Sequence, residues 1–295
     1  MRVGITSPVV TGLPGFFGAW EQDAGIEELA TIADAADRLG FDHLTCSEHV
    51  AVPTAIAEQR GGRYWDPLAT LSFLAARTTR IRLATQVLVL GYHHPVAIAK
   101  RYGTLDLLSG GRLVLGLGIG SIEEEFDLLG ADFAGRGAVA DDALPALRAA
   151  LSGRTPTYDG ARFAFSDVVV EPCAVQPRVP FWIGGHTPRS LRRAVEHGDG
   201  WIPFGLPHDR LREMLDRAPL PDGFEVVLGA GRPVDPVGEP DRTRRALERT
   251  VAAGASVVNV HVSATSADHY VDQLARLAEL AGLAELALTA PQEGT

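Results

Sequence analysis

Three short segments hold residues whose types and spacing suit chemistry. The first is "CSEHV", with Ser47, Glu48 and His49 in succession. A histidine beside a carboxylate can give or take a proton near neutral pH, although the same pair can be a loop with one ordinary hydrogen bond. The second is "WIGGHTPRS", residues 182–190. Gly184 and Gly185 permit close backbone approach, Thr187 can cap a helix, and Pro188 suits its first turn. Free N–H groups and the positive end of a helix dipole attract an anion, to which Arg189 could add charge; a plain glycine turn before a capped helix reads the same way. The third is "LVLGLGIGSIEEEF", residues 113–126. Gly116, Gly118 and Gly120 alternate, so they lack the G-x-G-x-x-G spacing of a dinucleotide loop and lie instead on one face of a strand. That bare face leaves room for something flat.

These segments need a scaffold that brings them together, and strand and helix signals alternate along the whole chain. Strands are predicted at 2–7, 41–47, 81–90, 112–120, 180–185, 200–204, 224–231 and 256–263. Helices are predicted at about 25–39 (capped by Asp23), 66–79, 94–111, 136–151, 241–253 and 267–282, with another opening at Thr187-Pro188. Residues 121–179 interrupt the rhythm with an acidic turn, a helix and a small hairpin at 157–165 around Asp159-Gly160. The tail "TAPQEGT" is expected to fray. Eight strands alternating with helices predict one (β/α)₈ barrel over 1–295, with an insertion at about 121–179. An open doubly wound sheet is the runner-up, but "SPVVTGLPGF" after the first strand is no glycine fingerprint.

Barrel sites form at the C-terminal ends of the strands. The residues expected there are Glu48 and His49, then Thr85 and Gln86, then Gly118, Gly120 and Ser121, then Gly184 to Thr187. Arg232 follows the seventh strand, and Asn259 and His261 share a face of the eighth. Phe16, Phe17 and Trp65 could line a substrate pocket. Glu123, Glu124 and Glu125 suit the exposed first turn of a helix.

Composition narrows the function. The chain has 295 residues, 46% of them hydrophobic, and a formal net charge of −10, which argues against nucleic-acid binding. Its two cysteines, Cys46 and Cys173, make no disulfide framework and fit a reducing cytoplasm. No apolar run is long enough for a membrane span, and the N-terminal residues lack the apolar core of a signal peptide. Lys100 is the only lysine, so Schiff-base chemistry would rest on a helical residue. Nine histidines invite a metal site, but the first strand has no His-x-His, and His93-His94 cannot chelate one ion. No metal is expected.

The chain resembles the luciferase-like monooxygenase superfamily, above all its actinobacterial branch of coenzyme F420-dependent oxidoreductases. The resemblance is carried by "GFDHLTCSEHV" (40–50), by 66–120, by "EEEFDLLGADFAGRG" (123–137) and by "PFWIGGHTPRSLRRAVEHGDGW" (180–201). It implies a TIM barrel with an insertion. It implies a flavin or deazaflavin ring lying against a bulge on strand three, with a non-proline cis peptide at Gln86-Val87. It implies a cofactor phosphate near Gly184, Gly185, His186 and Thr187, and an acid and a histidine, matching Glu48 and His49, near the ring. Relatives often carry tryptophan or a catalytic glutamate where this chain has Ser121. The implied activity is hydride transfer between F420 and a small organic substrate. The alternatives are an FMN-dependent monooxygenase fed by a partner reductase, or a flavin-binding protein without turnover. A homodimer is implied by the resemblance alone.

Overall fold

The computed structural model describes residues 1–283, so the expected fraying of the tail lies outside the described residues. Its strands are β1 (Arg2–Thr6), β2 (His43–Cys46), β3 (Arg82–Thr85), β4 (Leu88–Val89), β5 (Leu113–Gly118), the hairpin β6 (Tyr158–Asp159) and β7 (Ala164–Phe165), then β8 (Phe181–Gly184), β9 (Gly200–Ile202), β10 (Glu225–Gly229) and β11 (Val257–Val260). The helices are α1 (Ile26–Arg38), α2 (Thr54–Arg60), α3 (Pro67–Arg77), α4 (Pro95–Ser109), α5 (Glu123–Leu128), α6 (Arg136–Ala150), α7 (Pro188–His197), α8 (His208–Asp216), α9 (Pro240–Ala252) and α10 (Ala267–Ala281).

The sheet order is β3-β2-β1-β11-β10-β9-β8-β5-β4, and β3 also pairs with β5. That pairing, Leu83 opposite Leu113, closes the sheet into a parallel barrel. The expected third strand is split: the Gln86–Val87 peptide is cis, and the chain bulges there between β3 and β4. Both halves pair in parallel with β5, so together they fill one barrel position and the barrel has the expected eight.

Local chemistry explains most element starts. Asp66 accepts the Ala69 N–H at 2.8 Å, and Thr187 and Ser190 cap one another at the head of α7. The expected Asp23 cap is absent; Glu28 instead turns back to take the Gly25 N–H at 2.8 Å. Buried Asp37 accepts the N–H groups of Thr79, Arg80 and Ile81, which fixes the approach to β3. Helices α2 and α8 were not anticipated.

Two cores result. One lies between barrel and helices, where Leu113, Leu115 and Leu117 of β5 point outward into it. The other fills the barrel with Ala84, Val114, Trp182, Ile202, Val227 and Val257, and Val87 packs onto it. Val114 alternates with Gly116 and Gly118, so the glycine face points inward. A Cβ on Gly116 would overlap the Thr85 carbonyl oxygen, and one on Gly118 would overlap the Val87 side chain. One on Gly120 would come within 2.5 Å of Phe126. The room left by "GLGIG" is therefore taken by the bulge and Phe126. This corrects the expectation that Gly118 and Gly120 keep space for a ring.

Candidate active site

A cavity of about 640 Å³ opens at the C-terminal ends of the strands. Its walls include Thr6 at the end of β1 and Ser7 after it, Ser47 after β2, Gln86 at the bulge, Pro203 and Phe204 after β9, Arg232 after β10, Asn259 in β11 and His261 just after it. Phe16 closes one side and packs on the His261 ring at 4.5 Å. Phe17 carries the Arg63 guanidinium on its face, and Trp65 packs against the outer core; neither lines the cavity. Burial pushes the His261 imidazole down from its ordinary 6.5 to about 4, so it is neutral near pH 7.

The pairing of Glu48 with His49 needs correction. The two side chains have different partners. Glu48 is 7% exposed; it accepts the Val89 N–H at 2.6 Å and meets His93 Nε2 at 2.6 Å. It thus fastens the end of the short β4, just beyond the bulge. His49 Nδ1 lies 2.8 Å from Glu125 Oε2, which also accepts from the Tyr92 hydroxyl at 2.9 Å. The other Glu125 oxygen takes the N–H groups of Val50 and Ala51. Glu125, expected among exposed helix-turn acids, is 1% exposed. Burial pushes its carboxyl up, but the bonds from His49, Ala51 and Tyr92 outweigh that and hold it below the usual range. An ionised Glu125 fixes the proton on His49 Nδ1. Nε2 then has no hydrogen-bond partner among the described residues. The two residues are 76 positions apart, and only a glutamate buried at the third place of an acidic turn signals the pair.

The remaining expected residues fall into separate groups. Thr85 is buried, and its hydroxyl donates to the Gly116 carbonyl at 2.7 Å, so it serves the barrel wall. Ser121 accepts from Arg60 at 3.2 Å. Gly184 sits under Val87, and Gly185 has φ of +120° with Ser190 pressed against the place of its missing Cβ. The N–H groups of Gly185 and His186 meet no backbone carbonyl among the described residues. Arg189 pairs with Asp141 at 3.0 Å instead of turning toward this loop. The loop does not line the cavity, but His186 stacks edge-on against Phe204, which does.

A flavin-type coenzyme fits these features. The Ser7 hydroxyl on the cavity wall is buried without a partner, as a group that awaits a ligand would be. The loop at 184–187 offers donors where a side chain would obstruct. Among the described residues no cluster of metal-ligating side chains occurs, and no helix is long and apolar enough to cross a membrane.

Known proteins share this architecture. A long-chain alkane monooxygenase superposes with a TM-score of 0.79 at 15% identity, over 100% of this chain and 94% of its own. An F420-dependent secondary alcohol dehydrogenase, solved with an F420-acetone adduct, gives 0.76 at 14% identity, over 95% and 98%. An uncharacterised protein of Mycobacterium tuberculosis is 30% identical over 274 residues, covering 86% of this chain and 94% of that one. The luciferase-like monooxygenase family model matches residues 7–219. On that match, and with the closed barrel that carries it, the chain belongs to the luciferase-like monooxygenase family.

Proposed function

We propose that this enzyme transfers a hydride between the deazaflavin coenzyme F420 and a small organic substrate held in the cavity. The observation that carries the proposal is the His49–Glu125 pair; neither residue is among those lining the cavity, but His49 lies two residues along the chain from Ser47, which is. When bound, the deazaflavin would supply or accept the hydride at its ring carbon. Hydride delivery to a substrate carbon leaves a neighbouring atom that needs a proton, and His49 Nε2 is the group to provide it. Glu125 keeps the imidazole in the required tautomer and stabilises its charged form. Gly184, Gly185, His186 and Thr187 would hold the coenzyme phosphate. Gln86 and Ser7 would contact ring or substrate, while Phe16 and Phe204 exclude water from them.

A second reading is an FMN-dependent monooxygenase supplied with reduced flavin by a reductase; the family's description, luciferase-like monooxygenase, supports its oxygen chemistry. The test is a fluorescence titration of purified protein with F420 and with FMN, each oxidised and reduced. Tight binding of F420 is the expected result. Tight binding of reduced FMN alone would replace hydride transfer with oxygen chemistry.

A further inference from the structure

The cavity does not end at Arg232. A cleft of about 320 Å³ continues from it, and the two share His208, Ala230, Gly231 and Arg232. The cleft adds Arg242, Thr243 and Arg249 from α9, with Asp235 and Glu239 from the loop before it. Both carboxylates are engaged. Asp235 takes the Gly238 N–H at 2.8 Å and the Gln273 amide at 2.7 Å, and Glu239 pairs with Arg242 at 2.5 Å. Arg232 and Arg249, both exposed, are left without a hydrogen-bond or ion-pair partner among the described residues. Thr243 is 1% exposed, and its hydroxyl is buried without a partner. The chain carries a net charge of −10, yet this cleft sets three arginines against two carboxylates.

Within the cavity an anion has no other place to bind. Arg232 is the only arginine or lysine among the described residues that line it. Its one carboxylate, Glu21, is 5% exposed and spent on the N–H groups of Val9 at 2.6 Å and Gly18 at 2.7 Å. Leu13, Phe16, Ile202, Leu206, Val227 and Tyr270 make much of the remaining wall apolar. Barrel position separates Arg232 from the coenzyme features. The cis bulge at Gln86–Val87 takes the third position, the loop at 184–187 follows the fifth, and Arg232 follows the seventh. Gln86 and Arg232 therefore stand on opposite sides of the barrel mouth. An apolar cavity with one unmatched cation at one side orients a ligand by its charge. A guanidinium matches a carboxylate, which it can hold through two parallel hydrogen bonds.

We propose that the cleft is a carboxylate-binding subsite and that the substrate is an amphipathic organic acid. Its carboxylate is held by Arg232, with Arg249 and Thr243 beyond, and its apolar body crosses the cavity toward the bulge. The subsite selects the substrate and decides which end of it meets the coenzyme. This rests on the cavity being the substrate site of the proposed hydride transfer, but not on which coenzyme lies against the bulge.

Calorimetric titration of the intact protein with octanoate and with the uncharged octanamide tests it. Arg232 is exposed, so solvent and salt screen the pair, and a preference of ~10-fold for the acid is expected. Arg232→Gln should abolish that preference by weakening octanoate alone. No preference in the wild type, or one that survives Arg232→Gln, would overturn the proposal. Thr243→Val keeps the shape of the side chain and removes its hydroxyl. A loss of several-fold for octanoate alone is expected, and no loss would overturn the assignment of the cleft. Titrated with F420 and FMN, the Arg232→Gln protein should behave as the wild type does. A ~10-fold loss of coenzyme affinity with octanoate unaffected would give the cation to the coenzyme and overturn the proposal. If the wild type preferred octanoate but bound neither coenzyme, the proposed function would fail and the carboxylate subsite would stand.

Discussion

His49 Nδ1 and Glu125 Oε2 lie 2.8 Å apart, although one residue follows β2 and the other sits in the short helix after β5. The same carboxylate holds Val50 and Ala51 by their backbone N–H groups, so the histidine and its loop are positioned together. Glu125→Gln keeps the size of the side chain but loses the negative charge that orients the imidazole. A fall in kcat of about 10²-fold or more is expected, with a smaller change in KM. His49→Ala should cost at least as much. Steady-state kinetics with the coenzyme selected by titration would check both, and full activity in either variant would remove His49 from the chemistry.

Glu48 should behave differently. Its two oxygens are spent on the Val89 N–H, two residues past the bulge, and on His93. Glu48→Gln exchanges a charged acceptor for a neutral amide in a buried place, and a loss of about 1–3 kcal/mol in stability is expected. Urea unfolding would measure it. A variant of wild-type stability that has lost turnover would instead return Glu48 to the catalytic role its sequence position suggested.

The fold was largely legible because its signals are local. Asp66-Pro67, His94-Pro95 and Thr187-Pro188 each announce a helix start, and alternating apolar runs announce the strands. The site was legible only by segment. "CSEHV" points to proton transfer, but successive side chains of an extended segment point to opposite sides, and side chains 48 and 49 diverge to different partners. Nothing local in "SIEEEF" shows that Glu125 is the buried one of three adjacent acids. Gly116 and Gly118 of "GLGIG" do share a bare strand face, while Gly120 lies past the end of β5 with φ of +79°; what fills the face, the Thr85 carbonyl and Val87, comes from the neighbouring strand position.

The glycine face gives a stability prediction. Gly118→Ala would drive a methyl group into Val87, which packs on the barrel's inner core. Overpacking of this kind costs typically ~1–3 kcal/mol. A lower Tm is expected, with weaker coenzyme binding wherever the displaced bulge touches the ligand. Calorimetry that found no change in Tm would mean that Val87 can move aside freely.

His261 gives a pH prediction with a definite sign. Its imidazole stays neutral in the folded protein down to about pH 4, while in the unfolded chain it takes a proton near 6.5. The unfolded state therefore binds more protons between these values, and stability falls as pH drops through that window. The full contribution is present above about pH 6.5 and amounts to roughly 3 kcal/mol. His261→Phe should flatten this part of the profile. Urea midpoints at pH 7 and pH 5 would decide it, since equal slopes in wild type and variant contradict a buried neutral imidazole.

The loop at 184–187 gives the last prediction, because its glycine does two separate things. At Gly185 the backbone has φ of +120°, a region that side chains other than hydrogen rarely occupy, and a Cβ would stand 2.7 Å from Ser190 Cβ. Ser190 belongs to the capping pair with Thr187, so a bulky substitution would disturb the loop and the head of α7 together. If this loop holds the coenzyme phosphate, Gly185→Val should weaken binding of phosphate-bearing ligands and leave those without a phosphate nearly unaffected. FMN and riboflavin differ in that one group and make the comparison clean. FMN affinity should fall ~10-fold or more relative to riboflavin, the loss of one or two charge-assisted hydrogen bonds. An equal loss for both ligands would show that the substitution acts through the scaffold, and no loss for either would place the phosphate elsewhere on the barrel rim.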